Sequence, residues 1–158
     1  MKPNNVASRM LLGQEPPRAK PAEAKPEYED DEMEYPVSTN QDAHAFFAFL
    51  MAASTAVEQH HLKSKSYARH MALGSLYESI NGAVDGLVEA YQGIHGLIET
   101  YPPMPPLAVE ECVPLVESIY QYVETNRMKV ARESFIQNDI DTLVSSLSSA
   151  LYKLKYLD

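Results

Sequence analysis

The residues able to do chemistry gather in one stretch, Glu58 to Tyr91, which reads EQHHLKSKSYARHMALGSLYESINGAVDGLVEAY. It holds His61 and His70, and then a row of carboxylates, Glu78, Asp85 and Glu89. Imidazole and carboxylate donors with open coordination positions suit Fe(II), Mn(II) or Zn(II). At 100° per residue with His70 as zero, Asp85, Glu78 and Glu89 fall at roughly 60°, 80° and 100°, while the apolar stripe of the same helix centres near roughly 300°. The acids therefore lie on the flank of a helix, not in a bundle core. A di-iron centre inside one bundle needs ligands from all four helices, with Glu-x-x-His on two of them. Glu58-x-x-His61 is one such motif, and no histidine follows His95.

A flank site is a different arrangement. His61 ends one predicted helix and His70 begins the next, so a short connection brings the two imidazoles together. Asp85 and Glu89 lie ~22 Å or more from His70 along the helix at 1.5 Å per residue. They can share a metal with His70 only across a two-fold axis that packs this helix antiparallel on a second copy, the commonest kind of oligomer contact. Gly82 and Gly86, beside Asp85, permit close backbone approach there. Two acids four residues apart with no basic partner repel by about a few tenths of a kcal/mol, which a cation relieves. The same row also suits a merely solvated helix edge.

The elements that must position these groups follow from apolar spacing. Thr39 with Asp42 predicts an N-terminal capping pair, and Phe46, Leu50, Ala53 and Val57 make one apolar face of a first helix ending near His61. Ser64 or Ser66 caps a second helix that runs to about Tyr91 with the stripe Leu73, Tyr77, Ile80, Val84, Leu87 and Tyr91. Residues 92–113 hold two glycines and four prolines. That segment is too long for a tight turn and long enough to return along a bundle, with room for a short helix. Pro114 fits the first turn of a third helix, whose stripe is Val116, Ile119 or Tyr120, Val123, Met128 and Val130. Asn138, with Asp139 and Asp141, predicts the cap of a fourth, with the seam Ile140, Leu143, Val144, Leu147, Leu151 and Leu154. The fold expected is all-α: hairpin, long crossover, hairpin, a four-helix bundle of ferritin-like type over residues 38–158.

Six prolines in residues 1–37 predict an extended arm, acidic at its end in EYEDDEMEY, which is either a solvated linker or an arm that docks on a protein partner. The formal net charge is −9. Residues 1–26 contribute +3 and residues 27–40 hold six acids and no base, which leaves the rest at −6. An acidic body argues against gripping nucleic acid. Cys112 is the only cysteine, so no intrachain disulfide forms and a reducing, cytoplasmic setting is expected. The N-terminus lacks the apolar run of a signal peptide, and no apolar stretch approaches membrane-spanning length.

EQHHL, then SYARH, then VDGLVEAY fifteen residues on, resembles the starvation-induced DNA-protecting mini-ferritins, the Dps family. The ending FIQNDIDTLVSSLSSALYKLKYL is similar to that family's last helix, and the likeness covers roughly residues 42–157. It implies that His61 and His70 of one subunit and Asp85 and Glu89 of another hold iron, in a homo-oligomer with a two-fold contact along the second helix. Ferroxidase activity would follow. Leu62 stands where that family commonly has Trp, and Gly74 stands where it has Asp. Glu78, one turn later, replaces that carboxylate only in part. The sequence also resembles small ferritin-like proteins of tailed bacteriophages. That implies a second expectation, a non-enzymatic virion or assembly protein that reuses the bundle and docks through its arm.

Overall fold

A computed structural model describes residues 37–157. The arm expected over 1–37 therefore lies, up to residue 36, outside the described residues. Four helices make up the rest: α1 Gln41–Lys63, α2 Tyr67–His95, α3 Cys112–Val130 and α4 Ser134–Tyr156. No strand occurs among the described residues; one isolated bridge joins Val37 to Leu97.

The connections set the topology. Residues 64–66 turn α1 back into α2, and residues 131–133 turn α3 back into α4. Residues 96–111 join α2 to α3, and sixteen residues of extended chain reach ~50 Å. That exceeds the ~28 Å length of α3, so the crossover returns along the whole bundle. Asn40 at the start of α1 donates to the Lys129 and Val130 carbonyls at the end of α3, both at 3.0 Å. His95 ends α2 beside Glu133 at the start of α4, and Lys155 near the end of α4 pairs with Glu117 near the start of α3. The helices thus run up, down, down, up. Each packs on two antiparallel neighbours, in the cyclic order α1, α2, α4, α3.

The core explains why α1 is so apolar. Phe46, Phe47, Phe49 and Leu50 are all buried, which one stripe cannot do. Phe47 meets Tyr91 of α2 edge-on at 5.3 Å, and Phe49 stacks on Tyr122 of α3 at 3.6 Å. The crossover covers a third side, with Tyr101, Met104, Leu107 and Val109 packed on the core. The crossover has room for a short helix but forms none. Pro102, Pro103, Pro105 and Pro106 remove the backbone donors it would need.

The caps differ from expectation. Asn40, not the Thr39–Asp42 pair, caps α1, its side-chain oxygen accepting from the Asp42 and Ala43 N–H groups. Ser66 caps α2 by accepting from Arg69 N–H, and that helix runs on to His95, where Gly96 takes φ 87°. Asn138 caps nothing: α4 begins a turn earlier, at Ser134. Gln137 decides this, because its amide donates to the Arg127 and Ala131 carbonyls at the end of α3 and closes the turn. Of the stripe expected on α3, Val116, Ile119, Val123 and Val130 are buried, whereas Met128 is 61% exposed.

Candidate functional site

His61 and His70 come together across the α1–α2 turn. Their rings stack, with centroids 3.8 Å apart and planes 23° from parallel. Each ring is pinned by the other's backbone: His61 Nδ1 lies 2.8 Å from the His70 carbonyl, and His70 Nδ1 lies 3.0 Å from the His61 carbonyl. A carbonyl only accepts, so both Nδ1 atoms carry a proton, and the neutral form of each ring has its lone pair on Nε2. Neither Nε2 has a hydrogen-bond partner among the described residues, and neither is buried without one. Each ring is thus oriented through its Nδ1 by a backbone carbonyl, and each Nε2 keeps some access to solvent. Fixing Nδ1–H on a carbonyl is how proteins orient metal-binding imidazoles.

Gly74 belongs to this arrangement. A β-carbon there would stand 3.0 Å from His61 Cε1 and 3.1 Å from Nδ1. The space beside Gly74 is thus taken up by the His61 ring. Tyr77 closes the other flank of the ring at 5.4 Å between centroids. Sequence spacing identified both histidines, but gave no sign that the glycine is shaped by one of them.

The carboxylates stay apart from the imidazoles within one chain. Glu78, Asp85 and Glu89 are exposed on α2 and form no ion pair among the described residues. No group of three or more His, Cys, Asp or Glu side chains able to hold a metal occurs among those residues. Gly82 and Gly86 have open space where a β-carbon would stand. Tyr67 and Met71 are 79% and 50% exposed, and they share the outward face of α2 with the acids.

A second polar cluster, at the opposite end of the bundle, did not show in the spacing. Ser38 Oγ lies 2.8 Å from Tyr91 OH and 3.0 Å from His44 Nε2, all three residues being buried. Tyr91 stacks on His95, whose Nε2 sits 3.3 Å from Glu133 Oε1, near enough for attraction but off the line of a hydrogen bond. The Glu133 carboxyl is held below the usual range, first by its own backbone N–H and further by His95. Such a linkage ties residue 38 to α1 and α2, a structural role.

Fold and site together define an all-helical four-helix bundle that carries an oriented histidine pair at one hairpin turn. Residues 61–154, more than half of the chain, match the family of unknown function DUF5856, and the chain belongs to that family. No curated protein and no solved structure matches it.

Proposed function

We propose that the protein is a Dps-like mini-ferritin whose substrate is Fe(II), bound between subunits and open to oxidation there. The reciprocal His61–His70 clamp carries this reading. It fixes both Nδ1 protons on carbonyls and leaves each Nε2 without a partner among the described residues and not fully buried, so that both are open to a ligand. The path up, down, down, up with one long crossover is that of ferritin-like bundles.

Two nitrogens do not complete an iron site. A two-fold axis crossing α2 beside Glu78 sets His61 and His70 of one copy opposite Asp85 and Glu89 of the other. The exposed Tyr67 and Met71 then gain cover, and the open Gly82 and Gly86 admit the mate. In that frame the imidazoles supply oriented neutral donors, and Asp85 and Glu89 supply the negative charge that favours oxidation to Fe(III). Glu78 adds charge near the axis.

The test is to add Fe(II) to the purified full-length protein in air and follow Fe(III) absorbance, with mass measured by light scattering. Saturable oxidation above the buffer rate, in a homo-oligomer, is expected. A wild type that behaves like the His70→Ala, Glu89→Ala double variant would refute it. A second reading, a non-catalytic assembly or virion protein docked through its N-terminal arm, is favoured by Gly74, since the His61 ring excludes the carboxylate a full ferroxidase centre uses. Under that reading, deletion of residues 1–36 abolishes incorporation into the assembly and leaves the bundle folded.

A further inference from the structure

Behind the histidine pair, on the other side of the α1–α2 turn, lies a cleft of about 510 Å³. Residues 60 and 69 line it, while their neighbours 61 and 70 form the pair. Three cations reach it from the hairpin, Lys63, Lys65 and Arg69. None of the three takes part in an ion pair among the described residues. In a body with net charge −6 over residues 41–158, three unpaired cations around one cleft stand out.

The opposite wall comes from the start of α3, with Glu110, Glu111 and the buried Cys112. The two carboxylates stay beyond ion-pair distance of the three cations, so a gap separates the charged walls. Leu73, 1% exposed, lies between them. His60 Nε2 lies 2.9 Å from the Val109 carbonyl, so that nitrogen carries the proton and ties the end of the crossover to α1. The volume lies within the range of small-molecule sites and far exceeds one inorganic anion.

From this arrangement we propose that the cleft binds a phosphorylated small molecule. Its phosphate sits among Lys63, Lys65 and Arg69, where a planar guanidinium can grip two oxygens at once. Its hydroxyl or amino groups donate to Glu110 and Glu111 across the cleft. The site is independent of the iron reading, since none of its residues is a ligand there.

Inorganic phosphate and adenosine 5′-monophosphate serve as probes, titrated separately into full-length protein in 150 mM chloride and followed by amide chemical shifts. Saturable shifts confined to residues 60–73 and 109–113 are expected. The Lys63→Gln, Arg69→Gln double variant should weaken binding at least ten-fold, and its unchanged circular dichroism would show that the fold survives. Tighter binding of the nucleotide, lost in Glu110→Gln, Glu111→Gln, would identify the ester as ligand; equal affinities would identify free phosphate. Shifts that do not saturate, or that the double Lys/Arg variant leaves unchanged, would overturn the proposal.

Discussion

Replacing Gly74 by Ala puts the site geometry to a quantitative test. In an exposed helix interior this change stabilises by about 1 kcal/mol, because glycine gives up more backbone freedom. Here the new methyl would stand 3.0 Å from His61 Cε1 and 3.1 Å from Nδ1, tighter than most such contacts, so the ring has to give by a few tenths of an ångström. The ring must retreat, and it is held by the 2.8 Å bond to the His70 carbonyl and by the His70 ring at 3.8 Å. Losing that hydrogen bond costs about 1–1.5 kcal/mol. The two effects nearly cancel in the native background, so the stability of Gly74→Ala should match the wild type to within about 0.5 kcal/mol.

In a His61→Ala background the obstacle is gone, and the same change should show its full gain of about 1 kcal/mol. Urea unfolding of the four proteins measures the difference, a coupling of about 1–1.5 kcal/mol, well above the scatter of about 0.3–0.5 kcal/mol for independent sites. An equal gain in both backgrounds would refute the account of Gly74. Gly74→Asp sharpens the point. Under the proposed function it should lower Co(II) or Fe(II) binding, although it adds a carboxylate, because it displaces the His61 ring proposed as a ligand.

Other perturbations separate the caps and linkages. Asn40→Ala removes the α1 cap and both bonds to the end of α3 and should cost about 2 kcal/mol in urea unfolding, a cap and a tertiary tie of about 1 kcal/mol each; Thr39→Ala should cost almost nothing. Ser38→Ala leaves Tyr91 OH and His44 Nε2 buried without their partner and should cost about 2–3 kcal/mol, against about 1 kcal/mol for Tyr91→Phe, which leaves Ser38 its bond to His44. The Glu133 carboxyl has a lowered pKa in the fold, so its stabilising contribution is whole above the ordinary glutamate value near pH ~4.3 and fades as pH falls through the folded value. Acid unfolding curves of the wild type and Glu133→Gln should therefore diverge above pH ~4.3 and converge below it.

Much of this was readable from residue spacing, and the failures have physical causes. The four helices were legible because Leu73, Ile80, Val84 and Leu87, or Ile140, Leu143 and Leu147, repeat at the helical period and meet one core. The doubly covered face of α1 was not, since nothing local says that a crossover will lie over it. Thr39, Asn40 and Asp42 can all cap; Asn40 wins because its amide also reaches the end of α3, a contact some ninety residues away. Asn138 loses to a turn that Gln137 closes from inside the helix. The histidine pair followed from the short connection, whereas the reason for Gly74 required the position of the His61 ring.

Under the proposed function, assembly and metal binding would be one equilibrium. If the imidazoles come from one copy and the carboxylates from its mate, a metal ion holds the two together, and the mate in turn raises metal affinity. Linkage requires the two factors to be equal. A ten-fold tighter dimer in saturating metal demands a ten-fold tighter metal in saturating dimer, about 1.4 kcal/mol read either way. Sedimentation with and without Co(II), and Co(II) titrations at protein concentrations below and above the dimer constant, measure both without any oxidation step. Asp85→Asn with Glu89→Gln should abolish the coupling and leave the weak two-nitrogen affinity of His61 and His70. Metal affinity independent of protein concentration would mean that the histidine pair acts within a single chain, and that the row of acids on α2 is only a solvated edge.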